Sequence, residues 1–310
     1  MTSTSPIIET SRLSKRFGTR SAVVDLDLAV PRGSAFGFLG HNGAGKTTLI
    51  RMLLGLTQPS GGTMWLCGRP VPQDRADVLR RVGAIVEEPH FHGHLSGREN
   101  LRGVAAVRGP EAAGRIDGAL RRVGLLERAD DRVRTYSQGM RQRLGVARCL
   151  LADPELLILD EPMNGLDPGG ILELRTMIRE LTGEGRTVFL SSHLLDEVEK
   201  TCEFAAVIDR GRLIAQGPIE TLLTHDRAEL DVGCDERRLA LDLLDGHPAV
   251  AMVRETADGI RIALAAVDGA ATINAKLVSG GVAVRRLEPV RESLEQRFLE
   301  ITSRVGGTAS

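Results

Sequence analysis

Gly40-His41-Asn42-Gly43-Ala44-Gly45-Lys46-Thr47 packs three glycines, a lysine and a hydroxyl into the spacing GxxxxGK[ST]. Each residue type has a chemical reason to be there. Glycines let successive backbone N–H groups turn inward around an anion, and a helix starting at the end of the run adds positive potential. The ammonium of Lys46 then reaches the β- and γ-phosphates of a nucleotide, and the Thr47 hydroxyl suits a coordinated Mg²⁺. With Thr48 beside them, residues 40–48 are the candidate phosphate cradle.

A second element, Leu156-Leu157-Ile158-Leu159-Asp160-Glu161-Pro162, is an apolar run ending in two carboxylates. Asp160 fits a cation beside the phosphates, held through water or directly. Glu161 fits a general base that orients or deprotonates the attacking water. Alone, the segment reads first as a core strand followed by an N-capping acid; beside Lys46 the nucleotide reading is preferred. Together the two elements describe a P-loop nucleotidase and leave kinases, GTPases and motor proteins open.

The residues between them narrow the choice. Tyr136-Ser137-Gln138-Gly139-Met140, just ahead of GVARCLLADP, resembles the LSGGQ signature of ATP-binding cassette (ABC) ATPases. Ser137 and Gly139 match, while Tyr136, Gln138 and Met140 depart, and methionine removes the polar contact of the usual glutamine. Other parts resemble the family in its order. Phe17 matches the aromatic that stacks on adenine, Asn164-Gly165-Leu166-Asp167 the D-loop, and His193 the switch histidine that contacts the γ-phosphate and links it to Glu161. The alignment of VGAIVEE places Glu87 at the Q-loop glutamine, which touches Mg²⁺ and faces a membrane partner. A glutamate there, with the segment after it and the tail RRLEPVRESLEQRFLEIT, resembles bacitracin- and lantibiotic-type and drug-resistance (ABC-2) exporter ATPases. The resemblance implies catalytic roles for Glu161 and His193, and ATP contacts from Phe17, Gly40 to Thr48, Ser137 and Gly139. It also implies Mg²⁺ contacts from Thr47, Asp160 and Glu87. Ser137 and Gly139 would touch ATP held by a second subunit, so a head-to-tail dimer is implied.

Two look-alikes compete. Leu95-Ser96-Gly97 mimics part of the signature, but Ser96 and Glu99 fit a capping box that starts a helix. His90, His92 and His94 alternate beside Glu87 and Glu88, as metal ligands could. They fall in a Pro/Gly-containing loop and share one face only where the chain is extended. The expectation is that they bind no metal.

These residues need a scaffold. IIETSRL, AVVDLDLAV and SAFGFLG read as strands, TTLIRMLLGL as a buried helix, LLILDEP and TVFLSSH as further buried strands, and ILELRTMIRELTGEG as the crossover helix between them. Strands alternating with helices predict a largely parallel sheet. FAAVIDRGRLIAQG predicts a hairpin turning at Arg210-Gly211. The resulting fold class is α/β: a P-loop NTPase with a RecA-like core, an antiparallel β portion and a helical subdomain at about 90–155, spanning residues 1–224. Residues 225–310 read as a small α+β appendix with strands at AELDVG, VRETADGIRIALA and VAVRRLEP. An amphipathic helix, RESLEQRFLEIT, and a frayed tail, VGGTAS, end it.

Composition excludes other classes. With 40 Lys+Arg against 41 Asp+Glu there is no basic excess for nucleic acid. No apolar run has the roughly 20 residues of a membrane span. The N-terminus lacks a signal-peptide core, so a cytoplasmic location is expected. Cys67, Cys149, Cys202 and Cys234 form no CxxC pair and read as reduced thiols. The combined expectation is an ATPase subunit using ATP and Mg²⁺. It would pair with a second copy or a homologous subunit and sit on the inner membrane face against a separate permease, exporting a drug, antibiotic or peptide. The alternatives are a non-transport ABC ATPase of translation or DNA repair, disfavoured by a single GKT and no long coiled coil, and a histidine-loop metal sensor.

Overall fold

The structure is a computed structural model, and it describes residues 5–223, 229–265 and 269–290. The chain begins with strands β1 (Ile8–Phe17), β2 (Arg20–Val30) and β3 (Ala35–Leu39), then helix α1 (Lys46–Leu53). Strands β4 (Gly61–Leu66) and β5 (Arg69–Val71), the short helix α2 (Arg75–Arg80) and strand β6 (Val82–Ile85) follow. A helical stretch comes next: α3 (Gly97–Arg108), α4 (Pro110–Gly114), α5 (Ile116–Arg122) and α6 (Gln138–Leu150). Then come β7 (Leu156–Leu159), α7 (Pro168–Gly183), β8 (Thr187–Ser192), α8 (Leu195–Thr201), β9 (Phe204–Asp209) and β10 (Arg212–Pro218).

These elements make two sheets. One is six-stranded in the order β10-β9-β3-β8-β7-β6, parallel except for β10, which returns antiparallel on β9. Its central strands read as unbroken apolar runs because both faces are covered: every residue of β3, β7 and β8 is buried. Phe36 and Phe38 pack on Phe189 with ring centroids 5.8 and 5.6 Å apart. The other sheet, β2-β1-β4-β5, is antiparallel, and β2 alternates buried and exposed residues as a half-covered strand must. The hairpin turn falls at Arg210-Gly211, both with positive φ.

Ser96 caps α3 with a full capping box: Glu99 N–H donates to its hydroxyl at 3.2 Å, and Ser96 N–H donates to the Glu99 carboxylate at 2.7 Å. Gly97 is required there because a Cβ would lie 2.5 Å from the Tyr136 hydroxyl. That hydroxyl donates to the Arg128 carbonyl at 2.6 Å, so the tyrosine that departs from the signature pattern is a buried brace between the starts of α3 and α6.

At the edge of the parallel sheet, Arg81 grips Glu155 through two bonds of 2.6 and 2.7 Å, joining the entries of β6 and β7. The guanidinium holds the Glu155 carboxyl below its usual range. A depressed folded-state pKa stabilises above the ordinary carboxylate value of about 4.3, and that stabilisation disappears as pH falls through the depressed value. Arg81→Ala should therefore be less stable than the parent at neutral pH, with the gap closing as pH falls through that range. Urea unfolding at stepped pH measures it; a constant gap would assign the loss to packing alone.

The chain divides into two compact units between Ile219 and Glu220, within the short helix α9 (Ile219–Leu223). The second contains β11 (Glu229–Gly233), α10 (Arg237–Leu244), β12 (Val250–Thr256), β13 (Gly259–Leu264), α11 (Gly269–Ser279) and β14 (Arg286–Pro289). Its antiparallel sheet has the order β12-β13-β11-β14. With the β-α-β-β-α-β succession this is the ferredoxin-like arrangement. Leu230, Val232, Ile260, Ile262, Ile273 and Leu277 form its own core. The expected helix RESLEQRFLEIT and tail VGGTAS lie outside the described residues.

Candidate active site

The phosphate loop connects β3 to α1. Gly45 precedes the helix with φ 114°, and a Cβ there would meet the Ala22 carbonyl oxygen at 2.4 Å, so no other residue fits this turn. The first turn of α1 carries no acidic residue and no side-chain cap, which leaves its N–H groups and positive end facing the loop. A cleft of about 370 Å³ opens there, lined by Phe17, Arg20, Ala22, Asn42, Gly43, Gly45, Lys46, Thr47, Thr48 and Glu161. Phe17 is 52% exposed at this cleft, an apolar ring placed to stack on a flat base. Gly40 and His41 border the loop through their carbonyls, which accept from Lys46 Nζ at 2.5 and 3.3 Å.

Lys46 is buried, and its Nζ also lies 3.0 Å from Glu161 Oε1. The other Glu161 oxygen is 2.9 Å from His193 Nδ1. Glu161 therefore bridges Lys46 and His193, two residues the sequence could relate only by their order. Glu161 holds φ at 47°, a left-handed conformation that costs a non-glycine residue about 1–3 kcal/mol. Ser191 secures this turn: its hydroxyl donates to Asp160 Oδ1 at 2.5 Å and accepts from Glu161 N–H at 2.9 Å.

Asp160 is 2% exposed, and its Oδ2 has no hydrogen-bond partner. A buried carboxylate oxygen without a donor is costly unless a cation meets it. It borders a cleft of about 240 Å³ shared with Thr47, Glu87, Glu88, Gln138, Gln142, Glu161 and Asn164. A hydroxyl and an unsatisfied carboxylate beside the phosphate cradle are hard oxygen donors of the kind Mg²⁺ takes.

Glu87 reaches the same cleft in a left-handed conformation (φ 61°), but its carboxylate is engaged by Arg51 at 2.6 Å. Sequence reasoning missed Arg51. The available signal was its place one helical turn after Thr47, where i and i+4 share a face. Among the described residues, no three His, Cys, Asp or Glu side chains converge as a metal set. His90, His92 and His94 are exposed, alternating with half-buried Phe91 and Gly93, but the chain turns after His92, where Leu95 N–H donates to the His92 carbonyl at 3.1 Å. Phe91 faces inward, with the Arg148 guanidinium 5.3 Å from its ring centre. All four cysteines are free and buried, and burial pushes the Cys149 thiol up to about 11.

The signature segment sits at the start of α6. Ser137 caps that helix by accepting from Met140 N–H at 3.2 Å, and its own hydroxyl hydrogen remains to donate. Gln138 Nε2 donates to the Asn164 carbonyl at 3.2 Å, tying the signature to the exposed turn after Glu161. Asp167 ends that turn by capping α7, accepting from Gly170 N–H at 2.9 Å.

Comparisons with known proteins agree with this geometry. Residues 23–164 match the protein-family model described as ABC transporter. The chain is 39% identical to a bacitracin transport ATP-binding protein of Bacillus licheniformis, over 98% of this chain and 99% of that relative. It is 41% identical to Nod factor export ATP-binding protein I of Cupriavidus pinatubonensis over 77% of this chain and 73% of that one. Among solved structures, cbiO1 from Clostridium perfringens, part of the ABC transporter complex cbiONQ, superimposes with TM-score 0.65 at 28% identity. That match covers 70% of this chain and 90% of that structure. A phosphate loop facing a carboxylate-and-histidine pair, and a likeness that runs nearly the whole chain, lead to one conclusion: the chain belongs to the ABC transporter ATP-binding proteins, the subunits that hydrolyse ATP to drive transport.

Proposed function

We propose that this subunit powers export of a peptide antibiotic or similar drug through a separate membrane-spanning permease. It would work as a head-to-tail pair on the inner face of the membrane. No helix among the described residues is long and apolar enough to cross a bilayer, so translocation needs another chain. The observation that carries the reading is the 39% identity to the bacitracin transport protein, which extends over the accessory unit as well as the ATPase core.

The contacts within the site support a role for each residue. Phe17 stacks on adenine; the backbone of residues 40–48 and the Lys46 ammonium hold the phosphates. Thr47 and Asp160 would hold Mg²⁺, which would supply charge to offset that of the phosphate oxygens. Glu87, held by Arg51, stands at the edge of that site. An arriving γ-phosphate competes with Glu161 for Lys46, which frees Glu161 Oε1 to take a proton from water. The water oxygen then bonds to the γ-phosphorus as the bond to ADP breaks. His193 keeps the carboxylate aimed from its other side.

Gly139 supports the paired arrangement. A Cβ there would meet Leu166 Cδ2 at 3.6 Å, an ordinary contact among the described residues, which leaves room over Gly139 for a second subunit's phosphates to approach. Gly139→Asp should keep nucleotide binding within a few-fold in a fluorescent-analogue titration, yet lose hydrolysis and the ATP-dependent dimer. Hydrolysis and dimerisation at parental levels would refute the head-to-tail site. Purification from native membranes should bring down a protein with several apolar spans; recovery of the chain alone from the membrane fraction would remove the permease from the proposal.

A further inference from the structure

β7 and β8 run parallel, with Leu159 opposite Leu190, and Asp160 and Ser191 come next on the two strands. Here β7 leaves the sheet. The Asp160 N–H still donates to the Ile85 carbonyl of β6 at 2.9 Å, but on the β8 side the ladder is replaced by one side chain. Glu161 N–H donates to the Ser191 hydroxyl at 2.9 Å, and that hydroxyl lies 2.5 Å from Asp160 Oδ1. Ser191 is fully buried, so no water competes for these bonds.

The direction of each bond is fixed. A backbone N–H can only donate, so the serine oxygen accepts from Glu161 and its single hydrogen goes to Asp160. One group thus acts on both acidic residues. It holds Oδ1 against the sheet and leaves Oδ2 without a partner, in a residue that borders the cleft shared with Thr47. It also anchors the left-handed backbone from which Glu161 projects to Lys46 and His193.

We propose that Ser191 is a positioning residue for ATP hydrolysis. Its hydroxyl selects the Asp160 oxygen presented to the divalent cation and fixes the backbone that aims Glu161. The inference rests on Asp160 as a cation-holding residue. A residue that merely satisfied buried polar groups would change stability and leave metal affinity alone.

Mn²⁺ is the probe, its binding read by electron paramagnetic resonance in the presence of ADP. ADP affinity is measured separately in EDTA, and folding is checked by circular dichroism. Losing one hydrogen bond to a charged group should weaken Mn²⁺ binding roughly tenfold or more in Ser191→Ala, with ADP affinity in EDTA unchanged. kcat should fall in the same variant. Ser191→Thr, which keeps the hydroxyl, should stay within about threefold of the parent for Mn²⁺. Should Ser191→Ala not fold, Ser191→Cys, with its weak S–H donor, is expected to lose affinity in the same direction. Asp160→Asn is the control. If it weakens Mn²⁺ binding while Ser191→Ala and Ser191→Cys do not, the Ser191 proposal is overturned. It is equally overturned if the threonine variant matches alanine. If Asp160→Asn itself leaves Mn²⁺ binding intact, the cation role of Asp160 falls, and the proposal with it.

Discussion

Glu161→Gln should lower ATP turnover by roughly 10²–10⁴-fold, the usual contribution of a positioned base. The variant should still bind ATP and accumulate as the nucleotide-closed dimer. The geometry gives two reasons. Glutamine keeps the size and the contact toward His193 Nδ1, 2.9 Å away in the parent, but an amide cannot accept water's proton. It also removes the charge that faces Lys46 Nζ at 3.0 Å. ATP then no longer competes with a resident carboxylate for that ammonium, so its affinity should rise. Steady-state phosphate release and equilibrium nucleotide binding measure the two effects; turnover near the parental rate would remove Glu161 as the base.

Lys46→Ala should lose ATP affinity by about 10–100-fold, the worth of a hydrogen bond between charged groups, about 1.5–3 kcal/mol. A second effect belongs to this fold. Lys46 is buried and Glu161 is 18% exposed, so removing the lysine leaves a carboxylate largely enclosed beside Asp160 without its counter-ion. Breaking a buried pair on one side costs about 3–5 kcal/mol. The alanine variant should therefore also melt at lower temperature. The double variant Lys46→Ala/Glu161→Gln should recover much of that stability while staying unable to hydrolyse ATP. Parental ATP affinity in the single variant would refute the phosphate assignment. No thermal recovery in the double variant would show that the Lys46–Glu161 pair adds nothing to stability.

The parts of the site legible in the sequence share a physical character: they are contiguous. The loop from Gly40 to Thr47 has the glycine spacing that lets successive backbone groups turn toward an anion, so its chemistry is written in one run. Asp160 and Glu161 end one strand, and Ser96 with Glu99 close a cap within one turn. Long elements were equally readable. β3, β7, β8 and α7 announce themselves by unbroken apolar runs or helical periodicity. The short strands β4 and β5 did not, because Gly61-Gly62-Thr63 and Arg69-Pro70 carry turn-like residues into the sheet. The ferredoxin-like order of the accessory unit was also hidden. Sequence shows an α+β texture, but strand order follows from which edges pair.

By itself, then, the sequence determined the nucleotide chemistry, the parallel α/β core and the family. It did so because phosphate cradling, strand-end carboxylates and helix caps are local devices whose parts must lie at fixed spacing. Only the tertiary structure decided how the site's charges are held. Glu161 is shared between Lys46 and His193; Glu87 is engaged by Arg51, 36 positions away; and Ser191, 31 positions beyond Asp160, donates to that carboxylate. Those contacts join residues on different strands and helices, where no spacing rule links one side chain to another. A buried charge must find its partner in space, and only the packed sheet determines which groups stand within reach.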